Sequence, residues 1–192
     1  MPHKKAAVGV IMSNVLIGII GVILFIGLAL AGALILGDDF RTAGASSKAA
    51  TIVQGLQQTA IAYNMNTIRT GAPIPSSQGA NIVSTLIANK RLKVAPINPV
   101  RTDAGGDVAA YDIVGTRTPS RPIHVLTMHL GSFTPNSPLR NVCYEIEAQM
   151  GAQNPERDVD TAIGFDVKLA RDQRAGCMLN LYSNQYVAYM PV

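Results

Sequence analysis

The chain has 192 residues, of which 48% are apolar and 15% are charged, enough for one ordinary domain and one additional segment. Its formal net charge is +4, and the basic residues beyond the first five positions are scattered, so the composition does not require a nucleic-acid partner. Only one apolar run is long enough to span a bilayer, which excludes a multi-pass topology.

That run begins close to the amino terminus. No charged residue occurs between positions 6 and 37, and at about 1.5 Å per residue a helix over 10–37 would be roughly 42 Å long, more than the ~30 Å of bilayer hydrocarbon. Lys4 and Lys5 precede the run, whereas Asp38 and Asp39 follow it. By the positive-inside rule the amino terminus is cytoplasmic, and the rest of the chain lies outside the cytoplasm.

The run is about twice as long as the core of a conventional secretory signal. A small-x-small sequence, Ala-Gly-Ala at 31–33, nevertheless matches a signal cleavage site, so removal of the segment there remains an alternative.

The helical pattern continues beyond residue 37 and becomes amphipathic. Apolar residues recur every three or four positions, while serine, lysine and glutamine occupy the other faces. No proline interrupts 37–41, so the sequence predicts one continuous helix over about 10–66. The expected buried stripe consists of Ala45, Ala49, Ile52, Val53, Leu56, Ala60 and Tyr63.

The remaining residues predict a small α+β head. A proline- and glycine-rich loop at 70–79 leads to a short helix over 80–91, and a proline-limited extended segment follows at 92–100. This short helix is expected to bury Ile82, Val83, Leu86 and Ile87.

Alternation of apolar residues predicts strands at 109–114, 123–130 and 163–169, with one or two more near the carboxyl terminus. Both faces of 123–130 are expected to be covered. Between these strands, a helix ending at Gly151 should bury Val142, Cys143, Ile146 and Met150.

Cys143 and Cys177 are the only cysteines, and both lie in the part expected outside the cytoplasm. In an oxidising compartment such a pair usually forms a disulfide, although two unpaired thiols remain the alternative. A metal site is disfavoured because neither cysteine has a second ligand at C-x2-C spacing.

No catalytic constellation or cofactor motif is present, so we expect a non-enzymatic protein without a cofactor or metal. His124 and His129 would point to opposite faces of one strand.

The acidic stretch 154–160 lacks the glycine and final glutamate of a calcium loop and is expected to be a solvated loop. A surface for adhesion or DNA would need these residues to be exposed together: Lys90, Arg91, Lys93, Tyr182, Tyr186 and Tyr189.

The stretch "KKAAVG" followed by "VIMSNVLIGIIGVILFIG" resembles the type IV pilin and pseudopilin family. In that family a short basic leader ending in glycine is removed by a prepilin peptidase, and the apolar segment is retained as the first half of a long helix. The resemblance implies a leader at 1–9, cleavage between Gly9 and Val10, and Val10 as the new, often methylated, amino terminus.

Counting from Val10 places Asn14 at the fifth position, where family members usually carry a glutamate that pairs with a neighbouring subunit during assembly. Asparagine can accept a hydrogen bond but cannot form an ion pair. A Cys143–Cys177 bridge is similar to the family's carboxyl-terminal disulfide, and "LIANKRLKVAPINP" looks like the segment that follows the long helix. The valine at the cleavage site is similar to type IVb pilins, whereas the nine-residue leader is shorter than theirs.

The resemblance implies a pilin-like α+β fold with an assembly half of the long helix at 10–37, an amphipathic half at 38–66 and a head at 67–192. It also implies a major or minor pilin of a type IV pilus, secretion or conjugation filament. Such a subunit is stored in the bacterial inner membrane and then becomes extracellular; its partners are other pilins, the peptidase and an inner-membrane assembly platform. The alternative is a signal-anchored periplasmic binding domain that never polymerises.

Overall fold

The computed structural model describes residues 7–74, 82–101, 108–113, 123–134, 137–172 and 174–192. Side chains are described in these ranges except at 7–21, 29–41, 108–113, 123, 156–158, 166 and 170. The helices and strands are, in chain order, α1 (Ala7–Thr70), α2 (Ile82–Ala88), β1 (Val108–Ile113), β2 (Ile123–Ser132), α3 (Pro138–Gln149), α4 (Pro155–Asp160), α5 (Phe165–Asp172), β3 (Gly176–Asn180) and β4 (Gln185–Pro191).

The chain divides into two compact units, Met1–Ala43 and Gly44–Val192. The described part of the first unit belongs to α1. Among the residues that the structure describes, no helix has a stretch long and apolar enough to cross a membrane. Within the predicted membrane span, 10–37, the structure describes side chains only at residues 22–28.

In the second unit, α1 is amphipathic as predicted. All seven residues of the expected stripe are buried, and Ala49 and Ile52 are completely inaccessible to solvent. The buried Thr59 satisfies its hydroxyl group within the helix, because Oγ1 donates to the carbonyl oxygen of Gly55 at 2.8 Å. The stripe packs with residues of the sheet and of α3 in the larger of two apolar clusters.

Within the described residues the sheet has four strands in the order β1-β2-β4-β3, and every neighbouring pair is antiparallel. Both faces of β2 are covered, as predicted: Leu126 and Met128 belong to the cluster that includes α1, whereas Val125 belongs to a second cluster with Leu169 and Tyr189. The α+β class, with a long helix and a small antiparallel sheet, is therefore confirmed.

The short helix predicted over 80–91 is present as α2, but it ends at Ala88, since Lys90 has a left-handed backbone with φ 56°, and one residue of its expected buried face is exposed. Ile82, Val83 and Leu86 are buried in α2, but Ile87 is 37% exposed. At about 100° per residue, Ile87 lies well beyond the face that Ile82 and Leu86 share.

The strand predicted at 163–169 was wrong. Ile163 forms only an isolated bridge to Asn180, and the chain then enters α5. The alternation was misleading because Val167 is 54% exposed, whereas the neighbouring Lys168 and Leu169 are both buried. Near the carboxyl terminus, where one or two strands were predicted, the structure has two, β3 and β4.

Candidate functional site

The predicted processing and assembly residues lie near the start of α1. The backbone at Gly9, Val10 and Asn14 is helical, but the side chains of these residues lie outside those that the structure describes. Leader cleavage and the role of Asn14 therefore stay predictions.

The described side chains of the first unit form an apolar segment, residues 22–28, that is exposed on every side of the helix. Seven consecutive residues cover almost two turns of α1, and the six large apolar side chains among them are 51–73% exposed. A helix that is apolar all round requires lipid or protein around it. The exposed apolar surface of residues 22–28 is therefore unfavourable in water.

The disulfide predicted between Cys143 and Cys177 is present. It joins α3 to β3 with a Cα–Cα distance of 5.3 Å, and both cysteines are fully buried. The bond therefore links a helix that packs on the sheet to the edge strand of that sheet.

A buried carboxylate lies one helical turn beyond Cys143. Glu147 is fully buried, and its Oε1 accepts a hydrogen bond of 2.7 Å from the backbone N–H of Cys177. Lys168 Nζ lies 3.1 Å from the same oxygen, and Arg174 donates to Oε2 at 2.6 Å. This single carboxylate thus connects α3, α5, the loop before β3 and the disulfide.

Asp172 completes the arrangement, which we call the anchoring cluster: Glu147, Lys168, Asp172 and Arg174. Lys168 Nζ lies 3.0 Å from Asp172 Oδ2, within α5, and Lys168 is fully buried. Arg174 Nη2 lies 3.7 Å from the same oxygen. Lys168 and Arg174 therefore neutralise the two anions, and Arg171 adds a third cation at Asp172, where it donates to both carboxylate oxygens at 2.9 and 3.0 Å.

Burial alone would raise the pKa of Asp172, but hydrogen bonds and positive charges from Arg171 and Lys168 outweigh it and lower the pKa to about 2. Burial alone would lower the pKa of Arg174, but its hydrogen bond to Glu147 raises it. Both groups are consequently held in their charged forms at neutral pH.

A glycine makes room for the carboxylate. A Cβ atom added at Gly176 would overlap Glu147 Oε1 and would lie 3.0 Å from Glu147 Cδ. Sequence reasoning did not identify the anchoring cluster. The available signal was the position of Glu147 four residues after Cys143 on the buried side of a predicted helix, where an acidic residue needs a partner.

The histidines do not form a common site. His124 packs near the ring of Tyr63 at a centroid distance of 6.4 Å, while His129 Nδ1 lies 2.9 Å from Gln185 Oε1. Within the described ranges, no group of three or more histidine, cysteine or acidic residues could hold a metal ion.

The acidic stretch predicted as a loop contains the short helix α4, with Val159 buried. Asp160 accepts hydrogen bonds of 2.6 and 2.7 Å from Arg140, and this lowers the pKa of its carboxyl group. Asp160 is therefore part of an ion pair with α3.

The tyrosines near the carboxyl terminus do not form a shared exposed surface. Tyr186 and Tyr189 are fully buried, and of these three tyrosines only Tyr182, which is 82% exposed, lies at the surface, in the turn between β3 and β4.

A cavity of about 380 Å³ lies elsewhere on the head, which is a volume at the low end for ligand pockets. Its lining includes Leu130, Gly131, Leu139 and Gln185.

Comparison with known protein families, curated proteins and solved structures finds no match to this chain.

We expect Glu147→Gln to destabilise the head by about 3–5 kcal/mol, because it removes one anion from a buried, paired set of charges. The matched control is Glu145→Gln on the same helix, where the side chain is only half-buried. Denaturant unfolding of the full chain with the disulfide intact measures both. Equal, small effects of the two variants would contradict the role assigned to Glu147.

The anchoring cluster also predicts a pH dependence. The folded-state pKa of Asp172 is about 2, below the unfolded value near 3.8, so its contribution to stability is present above about pH 4 and is lost as the pH falls toward 2. Asp172→Asn should cost about 2 kcal/mol at pH 7 and little at pH 2. Asp160→Asn is the control, because that side chain is 46% exposed and its pair with Arg140 should contribute less. A pH-independent cost for Asp172→Asn in the same unfolding assay would contradict the assignment.

Proposed function

We propose that this chain is a structural subunit, a major or minor pilin, of a type IV pilus or a related secretion or conjugation filament. The observation that carries the proposal is the combination of one helix, Ala7–Thr70, with a small antiparallel head whose edge strand β3 is fixed to α3 by a disulfide. The basic leader before Gly9 and the register of Asn14 add sequence support.

The two parts of α1 have different surfaces, as a filament subunit requires. Residues 45–63 bury one stripe against the head, so this half of the helix is part of a folded domain. Residues 22–28 have no such partner side: all their large apolar side chains are at least half exposed. Lipid would surround this segment in storage, and neighbouring subunits would surround it after polymerisation.

The driving force for assembly follows from that exposed surface. At ~25 cal/mol per Å² of apolar surface, burial of a few hundred Å² in each contact contributes several kcal/mol. Repetition of one heterologous contact by a rotation and a rise generates an open helical fibre. No cofactor or nucleic acid enters this mechanism.

The proposed route starts in the bacterial inner membrane with the amino terminus in the cytoplasm. A prepilin peptidase removes residues 1–9, an inner-membrane assembly platform transfers the subunit, and the filament carries the head outside the cell. A fully buried disulfide suits an oxidising compartment outside the cytoplasm.

The mature amino terminus tests the proposal directly. Mass spectrometry and amino-terminal sequencing of the full chain, expressed together with a prepilin peptidase, should find Val10 as the first residue, with or without N-methylation. Electron microscopy of sheared material should then show filaments that contain the chain. An intact Met1 and no filaments would support the signal-anchored domain instead, and cleavage after Ala33 would contradict both.

Asn14 provides a second test. We expect Asn14→Leu to be processed normally but to lower the filament yield, because leucine cannot accept the hydrogen bond proposed for assembly. Ser13→Ala, at the neighbouring position, is the matched control and should retain the wild-type yield. Immunoblotting of sheared and membrane fractions measures both steps. A wild-type yield from Asn14→Leu would remove Asn14 from the assembly mechanism.

A further inference from the structure

The acidic residues of this chain are unevenly distributed. None occurs from position 40 to position 102, a stretch that contains seven lysines and arginines. Four of the seven lie where α1 and α2 end, and we call them the basic patch: Arg69, Lys90, Arg91 and Lys93. Positive charge in this part of the sequence is therefore not balanced locally.

A contact between the two helix ends brings the basic patch together. Asn89 Nδ2 donates to Asn66 Oδ1 at 3.1 Å, so the last turn of α1 lies beside the end of α2. Arg69 lies three residues after Asn66, on the same side of α1, and Lys90 follows Asn89 directly. The four patch residues are exposed or half-buried, and none of them has an ion-pair partner among the residues that the structure describes.

The lysine at position 90 is not needed to end α2. Its φ of 56° is left-handed, and its N–H donates to the carbonyl oxygen of Ile87 at 2.9 Å, while the N–H of Arg91 donates to that of Leu86 at 2.8 Å. These two bonds form the helix-ending motif in which glycine usually occupies the left-handed position. Glycine would close the helix with less strain, so what lysine adds at this position is its charged side chain.

The guanidinium group of Arg91 is not fully satisfied by the head. Its Nε is buried and has no hydrogen-bond partner in the described part of the chain. The head therefore leaves the hydrogen-bonding capacity of this cation incomplete, and phosphate oxygens are strong acceptors for guanidinium groups.

Aliphatic side chains, not aromatic ones, accompany the basic patch. Ile68, Val94 and Ile97 are 84%, 72% and 71% exposed, and two of them adjoin patch residues in the sequence. No aromatic residue occurs between Tyr63 and Tyr111. Nucleic-acid bases stack on aromatic side chains, whereas the surface of an anionic bilayer offers phosphate groups to cations and acyl chains to aliphatic residues.

We propose that the basic patch and these three aliphatic residues bind the surface of an anionic phospholipid bilayer. The inference goes beyond the proposed function, because it needs no filament and concerns the head alone. Each cation near an anionic bilayer strengthens binding by about fivefold, and the aliphatic side chains add contact with the acyl region. Binding therefore depends on both kinds of side chain.

Vesicle binding by the full chain tests the proposal. Since residues 22–28 would themselves enter a bilayer, the chain is first reconstituted in nanodiscs of neutral phosphatidylcholine. In a co-flotation assay, vesicles of phosphatidylglycerol and phosphatidylcholine in equal parts should bind these nanodiscs roughly a hundredfold more tightly than vesicles of phosphatidylcholine alone. Empty nanodiscs should not distinguish the two kinds of vesicle.

Matched substitutions separate the basic patch from net charge and from general hydrophobicity. Lys93→Gln should weaken binding to the anionic vesicles about fivefold. Lys48→Gln, an equal loss of charge at an exposed position about 30 Å along α1 from the patch, should change it by less than about twofold. Val94→Ser should weaken binding roughly three- to tenfold, whereas Val167→Ser, at a side chain that is 54% exposed on α5, should leave it unchanged.

Lys90→Gly distinguishes binding from a structural role of the patch. This substitution removes one charge and relaxes the left-handed backbone, so the melting temperature of the head should stay equal or rise while vesicle binding falls about fivefold. A higher melting temperature with unchanged vesicle binding would overturn the inference.

Other results would also overturn it. Equal binding to neutral and anionic vesicles, or equal effects of Lys93→Gln and Lys48→Gln, would remove the basic patch from the interaction. Displacement of the vesicles by inorganic phosphate would indicate a site for a single phosphate group, and tighter binding of double-stranded DNA than of the vesicles would identify a nucleic acid as the partner. A chain that binds anionic vesicles as stated but forms no filaments would keep this inference and lose the pilin proposal.

Discussion

The hydrogen bond from the backbone N–H of Cys177 to Glu147 is the contact on which the carboxyl-terminal half of the head depends. A buried carboxylate is unfavourable unless its charge and its acceptor oxygens are satisfied. Lys168 and Arg174 neutralise Glu147, and the peptide N–H of the disulfide-bonded residue occupies the remaining acceptor position. The covalent bond and the carboxylate therefore hold β3 against α3 at the same point of the strand. Since Gly176 leaves the space for that carboxylate, three requirements meet at the first two residues of β3: a glycine, a cysteine and a backbone N–H that donates to Glu147.

This arrangement explains why α5 is a helix although its sequence alternates. Lys168 and Asp172 are four residues apart, so a helical backbone brings their charged groups within 3.0 Å of each other while Lys168 also reaches Glu147. In an extended strand the same two residues would also share a face, but they would be separated by more than 10 Å along the chain. The ion pairs thus favour the helix, and Leu169 adds apolar burial on the same side of the sheet as Val125 and Tyr189.

The physical origin of each element decides how far the sequence could predict it. The stripe of α1, both covered faces of β2 and the buried cysteines depend on apolar periodicity, which is local and readable, and these expectations were correct. The helix α5 and the anchoring cluster depend on charges that meet across 21 to 27 positions, and a single sequence does not record that proximity. A lysine is ordinarily found at the surface, so nothing in the local sequence indicates that Lys168 is buried. Ile87 shows a related limit, because apolar character alone does not fix the last residue of a short helical face.

Two features of the charge distribution in the head are unusual. In most small domains the ionised groups lie outside and the neutral groups lie inside. Here a lysine and a glutamate are fully buried next to a disulfide, while the 20 residues 49–68 of α1, which is buried on only one face, carry no charge. The buried ion pairs join α3, α5 and the loop before β3 to one another. This part of the head is therefore held by polar contacts that do not involve the uncharged stretch of α1, which is held to the sheet by its apolar stripe.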